Sequence, residues 1–168
     1  MPLIELHTEI SAPIERVFDL ARSIDAHTSS TESTAERAIA GRTEGLIGMG
    51  ESVTWEARHF GVRQRLSVRI TDLHRPHMFA DEMLSGAFKT MRHRHSFRTE
   101  GAGTSMSDYF EYTAPLGILG KLAEWLFLTR YMTRFLETRN RVLKRMAESD
   151  EWQRYLAHGT EQDVEADV

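Results

Sequence analysis

Seven strand-length segments share this chain with a single long amphipathic helix, and that imbalance limits its folds more than any other feature. The clearest strand is VRQRLSVRITD. Val62, Gln64, Leu66, Val68 and Ile70 fall on one face, and Arg63, Arg65, Ser67, Arg69 and Thr71 on the other. A period of two with one apolar face marks a strand covered on one side and wet on the other. ERAIAG, ESVTWEARHF, HMFADEML, FKTMRHRHSFRTE and TSMSDYFEYT are of similar length, and RTEGLIGMG, Gly61, HRP, SGA and GAG separate them with turn residues. Breaks this short join antiparallel neighbours. The remaining strand comes first: in LIELHTEI, Ile4, Leu6, Thr8 and Ile10 alternate with Glu5, His7 and Glu9.

Such a sheet must cover its apolar face, and only one other element is large enough to do so. Between Leu116 and Glu148, the residues Leu122, Trp125, Leu126, Met132, Leu136, Leu143 and Met146 recur at helical spacings. They predict one helix of about nine turns. Its other face carries Arg130, Arg134, Arg139, Arg141, Lys144 and Arg145, a basic stripe read as solvated. After the first strand, SAPIERVFDLARSI offers Ser11 as N-cap, Pro13 in the first turn, and Ile14, Val17, Phe18 and Ala21 on one face. DAHTSSTEST reads as a short second helical turn or a loop. The expectation is an α+β fold: a curved antiparallel sheet of seven strands wrapped round a long C-terminal helix, with two short helices after the first strand. It occupies residues 1–148, and an acidic, flexible tail follows at 149–168. A curved sheet gripping a helix leaves room between them for a ligand.

Composition narrows the function. The net charge of −4 argues against nonspecific binding to nucleic acid or to an anionic membrane surface. No cysteine is present, which excludes disulfides and thiolate chemistry and suits a reducing compartment. The start MPLIELHTEISAP lacks the basic-then-apolar pattern of a signal peptide. LAEWLFL is far shorter than the roughly 20 residues that span a bilayer. A soluble cytoplasmic protein without integral membrane association is expected.

The chemistry gathers in MRHRHSFRTEGAGTSMSDYFEY, Met91 to Tyr112. If EGAG closes a hairpin symmetrically, Phe97 faces Met106, His95 faces Asp108, His93 faces Phe110 and Met91 faces Tyr112. All eight share the apolar face, since Arg92, Arg94, Arg98 and Glu111 lie on the other. Opposed side chains have Cβ atoms about 4.5–5.5 Å apart, close enough for a His95–Asp108 hydrogen bond. The hairpin folded at SGA similarly brings Asp81 near His93. Two His/carboxylate pairs on the concave face are the result.

The order of elements resembles the START-like, helix-grip superfamily, also called SRPBCC. The likeness is greatest to its bacterial cyclase/dehydrase-like, ligand-binding branch. It is carried by ISAPIERVFDLA, GESVTWEARHFG, FADEMLSGAFKTMRHRHSF and GTSMSDYFEYTAPLGILGKLAEWLF, and spans residues 2–147. The resemblance implies the helix-grip fold and an apolar or amphipathic ligand (lipid-, polyketide- or aromatic-like). It implies neither a metal nor another cofactor.

Three readings of the histidines follow. A metal between His93 and His95, completed by Asp108 or Asp81, is geometrically allowed. His95 with Asp108, and His93 with Asp81, could serve as general acid and base in a cyclase or dehydratase. In the favoured reading the pairs satisfy one another and give an apolar cavity polar anchors. The expected ligand contacts are Trp55, Leu66, Val68, Phe79, Met83, Met91, Phe97, Met106, Phe110 and Tyr112 from the sheet, and Leu122, Leu126 and Met132 from the helix. The third class of function is an interaction protein, in a homodimer for example, whose core is packed shut. His7, His59, His74, His77 and His158 read as edge, turn or tail residues outside any constellation.

Overall fold

The computed structural model describes residues 2–31, 34–115 and 127–156. Its strands are β1 (Leu3–Ile10), β2 (Arg37–Gly41), β3 (Ser52–His59), β4 (Val62–His74), β5 (Met78–Ser85), β6 (Thr90–Glu100) and β7 (Gly103–Thr113). They form one antiparallel sheet in the order β1-β7-β6-β5-β4-β3-β2. β1 pairs with β7 from Leu3 opposite Glu111 to Ile10 opposite Thr104, so the first strand is placed by the last. The register shifts between Ala38 and Ala40, Ser67 and Val68, and Ile70 and Asp72. Irregularities of this kind bend strands and raise the local twist, which lets the sheet curl. At the end of β2, Gly41 has φ +75°, and an added Cβ would lie 2.1 Å from the Ser52 carbonyl oxygen. Only glycine fits there.

The helices are α1 (Ile14–Ala21), α2 (Ile24–Ser30) and α3 (Thr129–Glu148). Leu122, Trp125 and Leu126, expected on the last helix, lie outside the described residues. α3 lays Met132, Leu136, Leu143 and Met146 on the core. α1 buries Phe18 edge-on against Phe79 and Phe97, at centroid distances of 5.5 and 5.3 Å. Ser11 does not cap this helix. Pro13 occupies the N-cap without a side-chain bond, and Ser11 gives its backbone N–H to Glu148, 2.7 Å away. After Glu148 a 3₁₀ turn (Asp150–Trp152) and a short α4 (Gln153–Leu156) still pack on the domain, with the Arg16 guanidinium 4.3 Å above the Trp152 ring. No helix among the described residues is long and apolar enough to cross a membrane.

DAHTSSTEST turns out to contribute to a real helix because Ser23, just before it, accepts a hydrogen bond from the Ala26 N–H at 3.2 Å. A Ser23→Ala variant is therefore expected to lose about 1 kcal/mol. A lower urea midpoint with an unchanged slope would show this; an unchanged midpoint would deny the cap its role.

Candidate functional site

β6 and β7 pair in the register expected, with His95 opposite Asp108, His93 opposite Phe110, Phe97 opposite Met106 and Met91 opposite Tyr112. Across β6's other edge, Asp81 faces His93. His93, His95 and Asp108 are almost wholly buried.

The polar groups do not form two separate pairs. His95 Nδ1 lies 2.5 Å and His93 Nε2 3.2 Å from the same oxygen, Asp108 Oδ1. As alternate residues on one strand, the two imidazoles stack with centroids 3.9 Å apart, and both reach the one carboxylate. The helix supplies a third partner: Asn140 Nδ2 donates to Asp108 Oδ2 at 2.6 Å. The crowding at Oδ1 leaves neither that atom nor His93 Nε2 with a well-directed hydrogen bond.

Burial dominates the electrostatics. It pushes the His95 imidazole down to about 3; the neighbouring His93 adds to the fall, and Asp108 opposes it. Burial also works against the Asp108 carboxylate, but His95 and His93 beside it hold its pKa well below the usual range. At neutral pH the contact thus sets a neutral imidazole against an ionised carboxylate and is not an ion pair. With its proton on Nδ1, His95 keeps a lone pair on Nε2. Asp81 moves the other way, since the loss of water raises its pKa more than His93 and Arg139 lower it.

Between the sheet and α3 lies a cavity of about 370 Å³. Its walls are mainly apolar, including Trp55, Val68, Ile70, Phe79, Phe110 and Leu136, and among these stand His27, Glu36, Asp81, His93, His95 and Arg139. His27 Nε2 is 3.1 Å from Glu36 Oε2, and its ring stacks on Trp55 with centroids 4.2 Å apart. His59 Nδ1 and the Tyr131 hydroxyl meet at 2.7 Å, next to Phe60. Asp81, His93 and His95 can each bring one ligand atom within 4.8 Å of the others, so these three are the residues that could hold a cation.

A family of proteins described as polyketide cyclase/dehydrase and lipid transport matches residues 1–148. The chain belongs to this family. None of the curated proteins matches it in sequence. Solved structures share the fold of this family member at low identity. The protein TTHA0849 from Thermus thermophilus superposes with a TM-score of 0.72 at 20% identity, over 87% of this chain and 97% of that one. A START superfamily protein from Mycobacterium smegmatis gives 0.65 at 11%, with the same coverage of 87% and 97%. The major latex-like protein 151 of Panax ginseng gives 0.64 at 15%, over 88% and 98%.

Of the contacts expected in this family member, Trp55, Leu66, Val68, Phe79, Met91, Phe110 and Met132 line the cavity, as do His93, His95 and Asp81. Asp108 stands behind the histidines, in contact with both and off the cavity wall. Phe97 and Met106 are buried away from the cavity wall, Tyr112 gives its hydroxyl to a contact with Thr129 at 2.8 Å, and Met83 is only half-buried. Leu122 and Leu126 lie outside the described residues. Two expectations need correction. Arg139 is not part of the solvated stripe, being buried on the inner face of α3; and His59 is not isolated. A signal for Arg139 was present. The stripe Met132, Leu136, Leu143, Met146 skips a helical step at 139–140, where Arg139 and Asn140 sit. His27 and Glu36 gave no comparable signal, because their pairing depends on how α2 folds onto β2.

Proposed function

We propose that this protein binds a small apolar or amphipathic molecule in the cavity between the sheet and α3. The observation that carries this reading is a mainly apolar enclosure with a few fixed polar groups on its wall, the usual make-up of a small-molecule site. Membership of a family described in part by lipid transport supports it. The family description also contains cyclase and dehydrase activity, with His95 and Asp108 as the natural acid–base pair. The direction of the His95 shift speaks against that role. A base whose conjugate acid has a pKa of about 3 is poorly matched to proton transfer near neutrality. The same neutral imidazole, held in one orientation by Asp108, is a good acceptor for a ligand hydroxyl.

Native mass spectrometry of the freshly purified protein, set against its denatured mass, is the test. A few hundred daltons of extra mass, lost on denaturation, is expected. A bare chain that also fails to bind decanol at saturation would sink the proposal. An increment of one zinc atom, removable by chelator, would instead put a cation on Asp81, His93 and His95.

A further inference from the structure

Among the described residues, Arg139 is the one cavity cation for which the fold provides no answer. It projects from the inner face of α3, is only 7% exposed and lines the cavity. Among the described residues, none of the ion pairs or hydrogen bonds formed involves its guanidinium. Arg22, also on the wall, differs, since Asp19 at 3.0 Å and the Ile47 carbonyl at 3.4 Å hold it. The charge of Arg139 is felt at His27, Asp81 and His95. Asp81 does not neutralise it: the two form no ion pair, and burial favours the protonated form of that carboxyl.

A guanidinium cannot shed its proton in a protein, so burial cannot be relieved by neutralisation. An unpaired buried charge is strongly unfavourable, and arginine is rarely buried without a partner. A partner that the fold omits can come from the ligand. We infer that Arg139 is an anion anchor and that the cavity takes an apolar molecule ending in a carboxylate, a fatty or aromatic acid. This rests on reading the cavity as a binding site, and adds the ligand's class. The planar fork of arginine matches a carboxylate with two parallel hydrogen bonds. Charge count favours one carboxylate over a phosphomonoester: a single unpaired cation balances one negative charge, and a second would face the ionised Glu36 on the same wall. Arg139 also makes the set Asp81, His93 and His95 a poor host for a divalent cation, which its positive charge repels.

The test is calorimetric titration with decanoate and with decanol, which share a tail and differ in the charged end. At pH 7.5 the parent protein is expected to bind decanoate roughly tenfold or more tightly than decanol, the scale of a charge-assisted hydrogen bond. Arg139→Gln is expected to weaken decanoate until the two are level. Equal affinities in the parent protein, or a preference that survives in Arg139→Gln, would overturn the inference and leave the cavity's binding role standing. Binding of neither probe would overturn both. An Arg139→Gln chain that does not fold would also count against it, since the guanidinium would then be held by the fold, and the comparison of probes on the parent protein is unaffected by that result.

Discussion

An Asp108→Ala variant is expected to lose about 3–5 kcal/mol of stability, the scale of removing one member from a buried charged network. The alanine takes away the acceptor for Asn140 Nδ2 and the carboxylate that both His93 and His95 approach. Each buried donor left alone costs about 1–3 kcal/mol. Asp108→Asn should fall between parent and alanine, because it keeps the volume and one acceptor but sets an amide N–H against another donor. Urea unfolding at pH 7 measures both. A loss below about 1 kcal/mol for alanine would mean that the cluster relaxes, and that the contacts between α3 and β7 hold without it.

Acid is expected to unfold the protein through the same cluster. The His95 imidazole, ordinarily near 6.5, sits at about 3 in the fold, so between those values the unfolded chain binds a proton that the folded chain refuses. Stability therefore falls as pH drops below 6.5 and stops falling from this source near 3. The loss from this source amounts to several kcal/mol, as an order of magnitude. Burial lowers His27 as well, which acts in the same direction. Asp108 extends the loss. Its folded pKa is depressed, so its contribution is present above about 3.9 and declines as the pH falls further. Asp81, with its pKa raised by burial, works the other way: the folded chain takes its proton first, which offsets part of the loss. Urea midpoints at pH 7, 6, 5 and 4 should decrease steadily, and the imidazole of His95 should stay neutral by NMR throughout. A flat profile over that range would contradict the neutral buried imidazole.

The sheet was legible in the sequence because its signals are local. Alternation set the faces of β1 and β4, and glycine-rich breaks set the hairpins. Closing EGAG symmetrically was enough to place His95 opposite Asp108. The site was legible only in part, because it is built across elements. Nothing in the alternation of β6 says that both imidazoles will turn to one oxygen, since this depends on ring rotation and on Asn140 arriving from α3 more than thirty positions later. Arg139 was misplaced for a related reason. Basic residues surround the helix on several sides, and charge alone does not tell the inner face from the outer; the missing step in the apolar stripe does.

The pairing of β1 with β7 has a consequence for how the chain is made. Leu3 to Ile10 bond to Thr104 to Glu111, so about a hundred residues separate partners in adjacent strands. At a synthesis rate of roughly 5–20 residues per second, β1 leaves the ribosome on the order of 5–20 seconds before its partner exists. During that interval its apolar side is uncovered, and Glu5, His7 and Glu9 on its other side keep it soluble. The earliest strand to be made waits for the latest, and α3, which covers both, arrives later still. Such long-range closure predicts slow folding for a domain of this size.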